Sequence, residues 1–146
     1  MAGSEWGLTP RQSIEFECQR RSERQVVDDC LAILSRRPVN EETLVALAGP
    51  HALTVIGGGE GGVEGYWPRV WALRGLLYAW DETAIGAVIA ASDDSHWRVR
   101  EMSAKVVARR RLEDAHDAMV TLVNDEVARV RAAAERALIR LVQSAS

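Results

Sequence analysis

At 146 residues and 47% hydrophobic, the chain is long enough to bury the core of one domain. Its net charge of −3 and pI near 5.6 argue against a general nucleic-acid binder, although a local patch can hide behind a total. Cys18 and Cys30 stand at no metal or redox spacing; they are read as buried or half-buried thiols of a reducing compartment, and neither a metal nor another cofactor is expected.

The first 21 residues lack the basic-then-apolar order of a signal peptide and are read as a partly flexible N-terminus. Residues 22–36 place Val26, Val27, Cys30, Leu31 and Leu34 on one helical stripe, which Pro38 ends. Asn40 is the expected N-cap of the next helix, with Glu41 and Glu42 in the first turn, where the dipole favours negative charge. That helix carries Leu44, Leu47 and Ala48 and stops at Gly49-Pro50; the apolar piece from His51 to Ile56 adds a further turn or two. The longest uncharged run, residues 43–59, is broken by these residues and by glycines, so no membrane span is expected and the cytoplasm is the assigned compartment.

Residues 57–65, Gly-Gly-Gly-Glu-Gly-Gly-Val-Glu-Gly, form a flexible connector. A phosphate-binding loop would need a following Lys-Ser or Lys-Thr and a preceding strand. Both are missing, and Glu60 and Glu64 would repel phosphate.

From residue 66 the helical spacing is strict, with helices expected over 66–79, 83–92, 96–110, 113–123 and 126–142. The segments repeat. Val88-Ile89 falls on Met119-Val120, and Arg98-Val99-Arg100 falls on Arg129-Val130-Arg131, while Arg69-Val70-Trp71 is a more divergent earlier copy. A period near thirty residues, with two helices per unit, is the pattern of an α-solenoid. The expected fold is therefore all-α, an α–α superhelix of about three helix pairs after an N-terminal helical segment. Residues 1–146 are read as one domain, with the best-defined repeats over 66–143.

The pattern Asp94, Val99-Arg100, Ser103-Ala104 and its copy Asp125, Val130-Arg131, Ala133-Ala134 resembles HEAT repeats, in particular the short HEAT-like units named after phycobilisome lyases. The resemblance implies a ladder in which each aspartate reaches an arginine of its own or a neighbouring repeat. Physical chemistry supports the same roles, because an Asp ahead of a helix caps its first amides and an Arg donates two parallel bonds to a carboxylate. Asp94, Arg100, Asp125 and Arg131 are thus read as structural braces. The earlier copy departs from the pattern, with Gly65 in place of Asp and Trp71 in place of Arg. Trp67, Trp71 and Trp80 are read as packing groups, with an aromatic binding patch as the alternative.

In such folds the second helix of each pair lines an inner face. Arg98, Glu101, Lys105 and Arg109 lie opposite the apolar stripe of one such helix; Arg129, Arg136 and Arg140 are the equivalents in the next, and Arg69 extends the first row. Residues 97–146 hold ten basic against seven acidic side chains. The plain reading is a solvated face whose arginines pair locally, such as Arg131 with Glu135. The sharper reading is a basic groove for an acidic protein segment or a phosphate backbone.

No catalytic constellation emerges: His51, His96 and His116 lie on different segments, and paired acids such as Asp28-Asp29 sit where solvation or the helix dipole explains them. Alkylpurine DNA glycosylases include HEAT-like proteins, but Trp80-Asp81 and the basic stripe do not assemble their motif, and the chain is short for such an array. The expected function is a non-catalytic adaptor or scaffold that binds a protein partner through its inner face, an acidic one where the groove reading holds. Nucleic-acid binding is the alternative. A homodimer is compatible with the apolar residues Leu138, Ile139 and Leu141 near the C-terminus.

Overall fold

Thr9 and Pro10 start the first helix, in a stretch where the sequence assigns none. A computed structural model of the chain describes residues 9–37, 39, 41–49 and 65–145. In it, α1 (Pro10–Arg20) opens with a capping box. The Gln12 N–H donates to Thr9 Oγ1 at 3.1 Å, and the Thr9 N–H donates to Gln12 Oε1 at 2.9 Å. Pro10 at the first helical position has its φ already set and gives up an N–H that no helix would use.

All regular structure among the described residues is helical. The chain divides into two compact units, Met1–Asp81 and Glu82–Ser146. The first holds α1, α2 (Glu23–Leu34), α3 (Glu41–Ala48) and α4 (Trp67–Gly75). The expected stops and caps at Pro38, Asn40 and Pro50, the piece 51–56 and the glycine-rich stretch through residue 64 lie outside the described residues. Because α2 packs on both α1 and α4, its buried arc centres on Val26, Cys30 and Ile33, while Leu31 and Leu34 are half-buried. Arg21 ties α1 to α2, donating to Glu17 at 3.1 Å and to Asp29 at 2.6 Å. Trp71 replaces the arginine of the repeat pattern by filling the core, 4% exposed, and Trp67 stacks on it at 6.4 Å between ring centroids.

The second unit contains α5 (Ile85–Ala91), α6 (Trp97–Arg110), α7 (His116–Leu122) and α8 (Ala128–Ala145). Short 3-10 turns at Glu82–Ala84 and Glu113–Ala115 occupy the starts expected for α5 and α7. The pairs α5/α6 and α7/α8 pack internally, and α6 lies along α8. Small residues after the Val-Arg dipeptide allow close approach: Ser103, Ala104, Ala133 and Ala134 are all buried. Ser103 Oγ donates to the Val88 carbonyl at 2.8 Å, which satisfies its hydroxyl inside the α5/α6 contact. No helix among the described residues is long and apolar enough to cross a membrane.

Candidate functional site

The brace between the two helix pairs of the second unit sets the geometry of everything above it. Arg100 on α6 donates to Asp125 through Nε at 2.8 Å and through Nη2 at 3.2 Å, the forked pairing that a guanidinium and a carboxylate make best. The third nitrogen, Nη1, donates to the carbonyls of Asp94 at 2.9 Å and Ser95 at 3.2 Å. Arg131 repeats that last contact one unit later, donating to the Asp125 carbonyl at 2.7 Å. Within a repeat the six-residue spacing therefore joins Arg to a turn carbonyl, and the carboxylate contact runs between repeats.

The aspartates also shape the turns. Asp94 accepts from the His96 N–H and Asp125 from the Val127 N–H, each at 2.9 Å. Burial alone would raise the Asp125 carboxyl, but the Arg100 and Val127 hydrogen bonds and the charges of Arg100 and Arg131 outweigh it and hold it below the ordinary carboxylate range.

With α6 and α8 in register, the eight side chains expected on the inner face fall into three groups. Arg69 belongs to the first unit, is buried, and donates to the Gly65 carbonyl at 3.0 Å, so it lines no open surface. Arg98 and Arg129 meet at Trp97, with guanidinium carbons 4.6 and 5.1 Å from its ring centroid. Glu101 is only 6% exposed and differs from the free face residue the sequence describes. Arg129 donates to it at 3.0 and 3.3 Å, and Lys105 Nζ lies 3.8 Å away. The more exposed Arg129 and Lys105 side chains cover this carboxylate, and their opposite charge offsets the cost of burying it on a polar stripe.

A second group of cations lies beyond this cluster and shares Lys105 with it. Lys105 and Arg109 of α6 and Arg136 and Arg140 of α8 line one concavity of about 510 Å³. Arg111, turned by its left-handed backbone (φ 53°), joins them and donates to Ser144 Oγ at 3.3 Å. No carboxylate among the described residues lines the groove. Arg109, Arg136 and Arg140 form no ion pair among the described residues. Ala108 contributes apolar surface over the buried Ala133, and Ile139, 56% exposed, lines the same concavity. Sequence reasoning omits Arg111 and Ile139 from the site. The signals were present: a run of three arginines at 109–111 and an apolar residue between Arg136 and Arg140 on a polar face.

Other candidate chemistry is absorbed by structure. Asp28 pairs with Arg24 at 3.1 Å and Asp29 with Arg21. His96 caps α6 through Nδ1, which accepts the Arg98 N–H at 3.2 Å, and His116 is exposed beside Asp117. Among the described residues no group of three or more His, Cys, Asp or Glu is placed to hold a metal.

A family model for HEAT repeats matches residues 66–139, just over half of the chain. No curated protein and no solved structure matches it. The matched span covers both forked-brace residues, Arg100 and Asp125, and most of the α6/α8 pair that carries the groove. The chain belongs to the HEAT-repeat family.

Proposed function

We propose that the chain is a non-catalytic interaction module that holds an acidic segment of a protein partner in the groove between α6 and α8. One observation carries this reading: five cationic side chains line a single concavity whose lining, among the described residues, includes no carboxylate. HEAT repeats commonly serve as protein-interaction scaffolds, which agrees with such a role. Arginine supplies four of the five charges, and its planar fork matches a carboxylate. Arg98 and Arg129, which the sequence makes equal members of the stripe, are here engaged by Trp97 and Glu101. The test therefore falls on Arg136 and Arg140.

A labelled glutamate-rich peptide, followed by fluorescence anisotropy, binds the native chain. The Arg136→Glu/Arg140→Glu double variant loses that affinity by about tenfold or more, with the helical circular dichroism unchanged. Unaltered binding by the double variant would place the docking surface elsewhere. Generic DNA and RNA, titrated across a salt series, examine the phosphate alternative. Five phosphate contacts give a slope of log affinity against log salt no steeper than about −4.5. Tighter binding of DNA or RNA than of the peptide at physiological salt overturns the protein reading.

A further inference from the structure

Charge alone does not account for the groove, because an isoleucine stands in it. Ile139 follows Arg136 by three residues, so it emerges beside that cation on α8, and at 56% exposed it is not part of the buried arc of Val130, Ala134, Ala137 and Leu141. A lone exposed apolar side chain on a flat surface needs no explanation. Ile139 is in a different position: it shares a concave lining with Ala108 and with four arginines, Arg109, Arg111, Arg136 and Arg140.

The cations are also ordered. Lys105 and Arg109 are four apart on α6, Arg136 and Arg140 four apart on α8, and each pair is offset from the other by the same 31 residues as Arg98 from Arg129. Both ends of this register meet in space, at Trp97 and at the groove, so α6 and α8 run side by side in one direction. A four-residue step along a helix spans about 6 Å. The cations accordingly form two rows with a rung spacing of about 6 Å, and carboxylates four apart on a helical ligand repeat at the same spacing.

From this we infer that the groove selects an amphipathic acidic helix, one that presents carboxylates at four-residue spacing around a single apolar side chain seated on Ile139. The inference rests on the acidic-segment reading and adds Ile139 as the residue that determines specificity. A phosphate backbone would satisfy the cations and leave Ile139 in water. A peptide with an aliphatic anchor removes that surface from water while its carboxylates take the arginine forks.

Two synthetic helical peptides test it with the full chain. One carries glutamates at four-residue spacing around a leucine; the other is identical except for serine in place of the leucine. The leucine peptide binds the native chain about tenfold more tightly, a gap expected for one aliphatic side chain in a partly open site. Ile139→Ser closes that gap, because the leucine loses the side chain on which it is seated. Ile139 is more than half exposed, so its replacement leaves the core intact, and the change on the peptide side reads the same contact without altering the protein. Equal affinities for the two peptides, combined with loss of both in Arg136→Glu/Arg140→Glu, would overturn the anchor and leave a groove that reads charge alone. Binding of neither peptide, or binding that survives the charge reversal, would overturn the acidic-segment reading itself. A short thymidine oligonucleotide that binds more tightly than the leucine peptide would overturn both.

Discussion

Asp125 has three tasks within one turn. It accepts the fork of Arg100, it accepts the Val127 N–H that shapes the entry to α8, and its carbonyl accepts from Arg131. Asp125→Ala removes the first two and leaves the third, so the loss is a charged hydrogen-bond pair and a turn, about 1–3 kcal/mol of stability. The pair is largely shielded, with side-chain exposures of 12% for Arg100 and 9% for Asp125, and this separates it from surface ion pairs that contribute little. Its pH dependence follows from the lowered carboxyl. A carboxylate with a depressed folded pKa stabilises fully above its unfolded value, about 3.9, and that stabilisation is lost as pH falls through the folded value. Urea midpoints for native and Asp125→Ala chains should therefore stay a constant distance apart from about pH 7 to pH 5 and converge below about pH 4. An equal gap at pH 3 and pH 7 would mean that the charge of Asp125 does not brace the repeat. The sequence made the aspartate and arginine legible as partners but put the carboxylate contact at six-residue spacing or in a neighbouring repeat without deciding between them. The choice depends on where Arg100 reaches once α6 and α8 are side by side, and no local spacing encodes that.

At the scale of elements, the helices most legible from sequence are those that copy one another, α5 to α8, because two copies of a pattern constrain each other. The first unit holds only the divergent copy at Arg69-Val70-Trp71, and there the buried arc of α2 is turned by its contacts with two neighbours. The start of α1 rests on a Thr-Pro-Arg-Gln cap that is specific in hindsight but short. Gly75 shows what such packing demands. A Cβ at this last residue of α4 would stand 3.0 Å from Cys30 Sγ on α2 and 3.3 Å from Leu47 Cδ2 on α3. Both are closer than ordinary carbon contact, and Cys30 is fully buried, so the neighbours have little room to yield. Gly75→Val should cost about 1–3 kcal/mol by overpacking, against a helix-propensity gain of less than about 1 kcal/mol. Cys30→Ala opens space at the nearer contact. The double variant Gly75→Val/Cys30→Ala should then melt higher than the sum of the single effects predicts. Strict additivity would show that the Sγ is not the obstacle. The same burial raises the Cys30 thiol far above its usual range, and no catalytic use follows from it.

For the molecule as a whole, the charge total conceals the site. A net charge of −3 is the sum of an acidic first part and a C-terminal part in which residues 97–146 hold ten basic against seven acidic side chains. Composition therefore indicated where cations concentrate but could not separate those that brace from those that face a groove. That division depends on Glu101, which pairs with Arg129 and Lys105 at one end of the stripe, whereas Arg109, Arg136 and Arg140 at the other form no ion pair among the described residues. A groove charged against itself is unfavourable for folding. Like charges four apart on a helix, such as Arg136 with Arg140, cost about 0.2–0.5 kcal/mol per pair at low salt, and the cost falls as the screening length shortens to about 8 Å at physiological ionic strength. Native and Arg140→Glu chains, melted from low to physiological salt, should differ most at low salt. Arg140→Glu converts a repelling pair into an attracting one, so its melting temperature should exceed the native value most at low salt, and the difference should shrink as salt is added. The same variant should bind the acidic peptide more weakly. Higher stability with lower affinity from one substitution is the signature of residues kept for a ligand. A native chain that is already the more stable of the two at low salt would mean that these cations relieve one another within the fold, and the groove would lose its claim to be a binding surface.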